Sequence, residues 1–264
     1  MAQIRHSAVL TREEHRSVQL HPELRRRLPR ATDGAAVRVL DWGCGRGSDV
    51  LHLRRQGFDA HGVEPHVPTI ERGRPLFAAE GLELSHYVRP LGEDNRTSHP
   101  DAWFDFLISY QVLEHVADLD SAAREMHRVL KPGGVAIHVY PAHRRPVEGH
   151  LRMPLVHWLP KNGTRRAAIG ACVRLGIHAR WPELASATAA ERTTAYYAYS
   201  CRATHYRAPG AVLRIFGAAG FDARFESHRH PRVQRLALAR ALPEALLGWV
   251  LTNFAGCTLV CRRR

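Results

Sequence analysis

Residues 37–47, Val-Arg-Val-Leu-Asp-Trp-Gly-Cys-Gly-Arg-Gly, join a short apolar run to a turn with glycine at every second position. A run of this length that breaks into glycines reads as a buried parallel strand feeding a helix. That helix is expected over 48–56, stopped by Gly57, and a second apolar run over 58–64 ends where Pro65 cannot join a ladder. Further strands are expected at 82–88, 104–110 and 135–140, with a helix through 119–130 carrying apolar residues at Leu119, Ala123, Met126, Val129 and Leu130. Lys131-Pro132-Gly133-Gly134 is expected to end that helix. Strands alternating with helices at this spacing imply right-handed crossovers, an α/β fold and a parallel sheet covered on both faces.

Around this core (37–141) lie a charged helical leader (1–36) and a stretch, 142–207, where the alternation lapses into Pro-, His-, Arg- and aromatic-rich sequence. We read the stretch as an inserted lid that holds substrate. Over 208–264 the pattern resumes, with a helix at 209–219, a strand at 221–227, a helix over about 231–250 and a strand at 256–262. With 264 residues, 45% hydrophobic and 24% charged, the chain is excluded from the disordered and fibrous classes and can bury a full core. Its five scattered cysteines lack the CxxC pairing of a zinc site, so free thiols in a cytoplasmic setting are expected. The first residues hold no apolar core of a secretory signal, and the apolar stretch 242–261 is interrupted by Pro243, Glu244 and Asn253, so no membrane span is expected. The formal charge of +13 points toward a polyanion, yet Lys131 and Lys161 are the only lysines and the arginines are spread along the chain. Nucleic acid is therefore not the favoured partner.

In open α/β sheets a ligand lies across the carboxyl ends of the strands. The first strand ends in Asp41, followed by Gly43, Cys44, Gly45 and Gly47, where backbone amides can approach a ligand that a Cβ would exclude. The second ends at Glu64, 21 residues beyond Gly43, where a carboxylate can accept both hydroxyl protons of a ribose. The loop after strand three offers Glu93 and Asp94, and that after strand four offers Ser109, Tyr110 and Gln111. The glycines run GxGxG rather than GxGxxG, which disfavours a dinucleotide and suits an adenosine ligand without phosphates.

VLDWGCGRG (39–47), GVEP (62–65) and FDFLISYQVLEHVADLDSAAREMHRVLKPGG (104–134), in this order and spacing, resemble the class I S-adenosylmethionine-dependent methyltransferases. The resemblance implies a Rossmann-like, doubly wound, seven-stranded sheet with an antiparallel last strand, fitted by 256–262, and S-adenosylmethionine as cofactor. It also implies that Asp41 orients the methionine amino group beside the glycine loop, that Glu64 holds the ribose, that Glu93 or Asp94 contacts adenine, and that Tyr110 lines the cofactor. Leu113-Glu114-His115 matches a common signature of that family. The chain has Ser109-Tyr110-Gln111-Val112 where the branches that methylate base amines carry an Asp/Asn-Pro-Pro-aromatic tetrad, which lowers the odds of base methylation.

The acceptor is expected in the insertion, whose run PVEGHLRMPLVHWLP (146–160) and aromatics Tyr196, Tyr197, Tyr199 and Tyr206 can wall a pocket. A long lid over a compact site suits a small polar molecule, a sugar or secondary metabolite methylated on oxygen. The rivals are an RNA methyltransferase and a non-catalytic cofactor-binding partner subunit. Oxygen must lose its proton as the new bond forms, and histidine suits that near neutral pH. His150 and His143 are the leading candidates for the base, with Glu148 as an orienting carboxylate and His157 as a third imidazole; His115 is expected to cap or pack. No metal is expected, because no pair of histidines stands at i,i+4 beside a general base.

Overall fold

The computed structural model describes residues 22–28, 37–229, 233 and 242–264. Its sheet is built from β1 (Arg38–Trp42), β2 (Asp59–Glu64), β3 (Val88–Pro90), β4 (Phe104–Tyr110), β5 (Leu130–Pro141), β8 (Phe221–Phe225) and β9 (Gly256–Arg263) in the order β3-β2-β1-β4-β5-β9-β8. β9 runs antiparallel between β5 and β8, and the other neighbouring pairs are parallel. The two faces bury separate cores. Leu40, Trp42, Phe104, Leu107, Met126 and Phe216 pack on the side covered by α5 (Leu119–Val129) and α8 (Pro209–Ala218). Val39, Val50, Leu53, Ile70, Phe77, Ile108 and Ile137 pack on the opposite face, under α2 (Ser48–Arg55), α3 (Val67–Glu71) and α4 (Arg74–Ala78), with Leu24 of α1 (Pro22–Arg27) in the same cluster.

Two expected boundaries moved. Third-strand pairing begins only at Val88, because Leu84–His86 forms a one-turn 3-10 helix whose Leu84 turns into the core. The helix α5 ends at Val129, and Lys131-Pro132-Gly133-Gly134 does not follow it as a loop but opens β5. Leu130 pairs with Phe104 and Val135 with Phe106, so the intervening residues form a bulge in which Gly133 takes φ +78°. The expected helix at 231–250 lies partly outside the described residues; its described part is α9 (Glu244–Phe254). The leader is described only over α1 and Leu28.

The chain between β5 and α8 forms a hairpin of β6 (Val147–Glu148) and β7 (Met153–Pro154), then α6 (Gly163–Arg174) and α7 (Ala189–Arg202). It has its own cluster of Leu151, Met153, Val156, Ile169, Trp181, Tyr196 and Tyr199. α7 is started by a capping box in which Thr188 and Glu191 bond each other's backbone amides. Of the aromatics expected to wall a pocket, Tyr196 and Tyr199 are spent on this core. No helix among the described residues is long and apolar enough to cross a membrane.

Candidate active site

At the end of β1 the amides of Gly43 and Cys44 both donate to the Val63 carbonyl, at 2.8 and 3.1 Å, which ties the glycine loop to β2. The three glycines differ in purpose. A Cβ on Gly43 would stand 2.5 Å from Val112, and one on Gly47 would stand 2.8 Å from Phe77, so protein packing demands both. At Gly45 a Cβ would meet only Thr69 at 3.9 Å, and its amide donates to Glu64 Oε2 at 3.1 Å. Glu64 Oε1 accepts from the His66 amide, also at 3.1 Å, so two backbone donors set the pose of this carboxylate. Burial, then Asp41 and Glu64, push the half-buried Cys44 thiol up, which disfavours its thiolate.

The crevice is anionic. Asp41 is 6% exposed, and its carboxyl is raised well above the usual range by burial first and then by Asp49 and Glu64. Burial raises Glu64 too, against the His66 and Gly45 amides. A bound cation would relieve both acids. Beyond β3, Glu93 and Asp94 are exposed on one turn, but Asp94 Oδ1 accepts from the Arg96 amide at 3.0 Å and is committed to the turn itself. At the end of β4 the Ser109 hydroxyl is taken up by a hydrogen bond with buried His138 Nδ1 at 2.8 Å. Tyr110 is half-buried, and Gln111 takes φ +56° with its amide bound to the Val139 carbonyl at 2.8 Å, a strained backbone at the strand end.

From Val112, which fills the space left by Gly43, the chain leads through Leu113 and Glu114 to His115, and there it meets the insertion. His115 Nδ1 donates to the Ala203 carbonyl at 2.6 Å, and its Nε2 lies 3.2 Å from His150 Nε2. His150 Nδ1 donates to Glu148 Oε1 at 2.9 Å, and Glu148 also accepts from the Tyr206 hydroxyl and the Leu151 amide, each at 2.5 Å. Burial alone would raise Glu148, but His150, Tyr206 and Leu151 bring it down to about 2, so it is a carboxylate. The expected pairing of His150 with Glu148 is thus present. His115, expected to cap or pack, and Tyr206, noted only as a possible wall, are drawn into the same chain of contacts; the quoted Leu-Glu-His signature was the signal for the first.

His157 has a different setting. It is 9% exposed, both ring nitrogens are buried with no hydrogen-bond partner among the described residues, and its ring centroid stands 4.9 Å from that of Tyr206. Burial lowers its pKa, so the ring is neutral near pH 7. With Lys161, Arg165, Thr204, His205, Tyr206 and Arg207 it lines a cleft of about 270 Å³. The three cations spend their donors on backbone: Lys161 on the Cys201 and Thr204 carbonyls, Arg165 on those of His157 and Ser200, Arg207 on those of Val116 and Ala117. His143 is half-buried with a buried, unpartnered Nδ1 and does not line the cleft.

A family model described as a methyltransferase domain matches residues 12–175. The ubiquinone biosynthesis O-methyltransferase of Mesorhizobium japonicum is 32% identical over 99 residues, 38% of this chain and 39% of that protein. The ajmaline N-methyltransferase of Rauvolfia serpentina is 32% identical over 107 residues, 40% of this chain and 36% of that protein. The match spans under half the length of these relatives. An S-adenosylmethionine-dependent methyltransferase from Mesorhizobium loti shares the fold, with a TM-score of 0.56 at 19% identity over 92% of this chain and 96% of that one. S-adenosylmethionine carries a sulfonium and an ammonium, and a crevice in which burial raises both Asp41 and Glu64, and Glu64 raises Asp41 further, fits such a cation. The chain belongs to the methyltransferase domain family, and its fold is that of a class I S-adenosylmethionine-dependent methyltransferase.

Proposed function

We propose that the chain methylates a hydroxyl of a small polar acceptor seated in the cleft that His157, Lys161, Tyr206 and Arg207 of the insertion line. The observation that carries this reading is His157: a neutral imidazole, buried at a cleft, with both nitrogens lacking a hydrogen-bond partner among the described residues. Buried polar groups are ordinarily satisfied, and an exception at a cleft marks a place for a ligand. On this reading Asp41, Gly45, Glu64, Glu93 and Tyr110 hold the cofactor, and Gln111 sets the turn beside it. When bound, the cofactor supplies the methyl group. The acceptor hydroxyl donates its proton to His157 as it attacks, which is general-base chemistry. Of the other candidate imidazoles, His150 is less suited because Glu148 and His115 engage both its nitrogens, and Glu148 orients His150 rather than the base.

An RNA acceptor is disfavoured, since the directional donors of Lys161, Arg165 and Arg207 are turned to carbonyls rather than to a phosphate path. Methyl transfer from labelled cofactor to a panel of hydroxylated metabolites, amines and bulk RNA tests the acceptor class. His157→Ala should lower turnover at saturating cofactor by about 10²–10⁴-fold while leaving cofactor affinity in place. A rate within a few-fold of wild type would remove His157 as the base.

A further inference from the structure

The contact between His115 and His150 has a problem of protons. Each ring has two nitrogens, and each Nδ1 must be the donor: one faces a carbonyl, the other a carboxylate. In two neutral rings so arranged, both Nε2 atoms carry lone pairs, and they face each other at 3.2 Å. Something positive belongs between them. Two nitrogens bound at about 2.05 Å to one tetrahedral zinc ion stand roughly 3.3 Å apart, which is this separation. The third donor is Glu114, 2% exposed, with Oε1 3.9 Å from His115 Nε2; the three ligand atoms all lie within 4.8 Å of one another.

We propose that His115 Nε2, His150 Nε2 and a Glu114 carboxylate oxygen form a binding site for a divalent transition-metal ion, zinc by ligand type. Two imidazoles and one carboxylate suit zinc and leave its fourth position open, as catalytic zinc sites do. The outer contacts also follow the pattern of such sites. Metal-bound histidines give their other N–H to a carbonyl or carboxylate, which fixes the tautomer, and Ala203 and Glu148 occupy those positions. The charges close as well: Glu114 and Glu148 together balance a divalent ion. The ligands come from the β4 loop and from the β6–β7 turn, so the ion would bind the insertion to the core at the edge of the acceptor cleft. This site does not depend on the choice of acceptor or of His157.

The test is titration of the purified full-length chain with Zn²⁺ against a chromogenic chelator, and with Co²⁺ read by visible absorption. The expected result is one ion per chain and the intense d–d bands of four-coordinate cobalt. His115→Ala and His150→Ala should each weaken binding by at least about 100-fold, and Glu148→Gln by about 10–100-fold. His157→Ala should bind as wild type. Absence of stoichiometric binding by the wild-type chain would overturn the site and leave a proton shared between the two rings. Binding and spectrum that survive His150→Ala would overturn it too, since a chain with 18 histidines can bind metal elsewhere. Circular dichroism shows whether each variant folds; if the histidine variants do not, unchanged affinity in Glu148→Gln is the overturning result.

Discussion

The Gly45 and His66 amides that pose Glu64 use one lone pair on each oxygen and leave the others open for the ribose it is proposed to hold. Glu64→Ala removes the ribose acceptor and also frees the loop amide, so calorimetry should show cofactor binding weakened by about 2–4 kcal/mol. Glu64→Gln keeps an acceptor oxygen but loses charge assistance, and a smaller loss, about 1–2 kcal/mol, is expected. Equal affinity in all three proteins would refute the ribose assignment. Gly43 and Gly47 answer to another constraint: Val112 and Phe77 occupy the space of their missing side chains, so substitution there breaks the loop before it touches a ligand.

At the scale of elements, the insertion stands on its own aromatic core. Trp181 packs edge-on against Tyr196 and Tyr199, with ring centroids 4.7 and 5.1 Å away, and its indole N–H is buried with no hydrogen-bond partner among the described residues. Trp181→Ala should cost about 3–5 kcal/mol of local stability, read as lost hydrogen-exchange protection over 147–202 with the sheet unaffected. Trp181→Phe removes the unsatisfied N–H along with volume and should cost under about 1.5 kcal/mol. A global loss of protection in the Ala variant would show that the insertion does not open separately. α6 and the acceptor cleft share a device, because Arg165 of α6 binds the His157 carbonyl and so holds the proposed base from behind.

For the whole molecule, charge and pH meet in the buried histidines. His138, fully buried between the Ser109 hydroxyl and the Phe216 ring, is pushed down by burial to about 3. Its folded pKa lies below the ordinary 6.5, so protonation favours the unfolded chain. The stability it contributes is complete above about pH 6.5 and is lost progressively as pH falls toward 3. Denaturant unfolding should show the protein weaker at pH 4.5 than at pH 7, with about 2–3 kcal/mol of the difference due to this residue. His138→Asn should flatten that pH dependence whatever it costs at pH 7; an unchanged slope would acquit His138. The charge of +13 likewise reads differently once folded, since Arg128, Arg165 and Arg207 are tied to carbonyls of other segments.

The order of strands, the glycine turn and the acids at strand ends were legible in the chain because each is a local pattern: an apolar run, a residue without Cβ, a carboxylate at a fixed offset. Periodicity also marked 142–207 as foreign to the alternation, and side-chain chemistry within its run 146–160 singled out His150 with Glu148 two residues away. Boundaries escaped where tertiary pairing overrode local preference, as when Phe104 drew Leu130, and the Lys-Pro-Gly-Gly run behind it, into β5. Which histidine lacks a partner, which one faces another, and which glycine serves a ligand are decided by approach between segments 35 to 94 residues apart, His115 to His150 and Leu113 to Arg207 among them. No spacing rule reports such approaches, because each depends on how the sheet carries its loops to one edge and on the side-chain volumes that meet there.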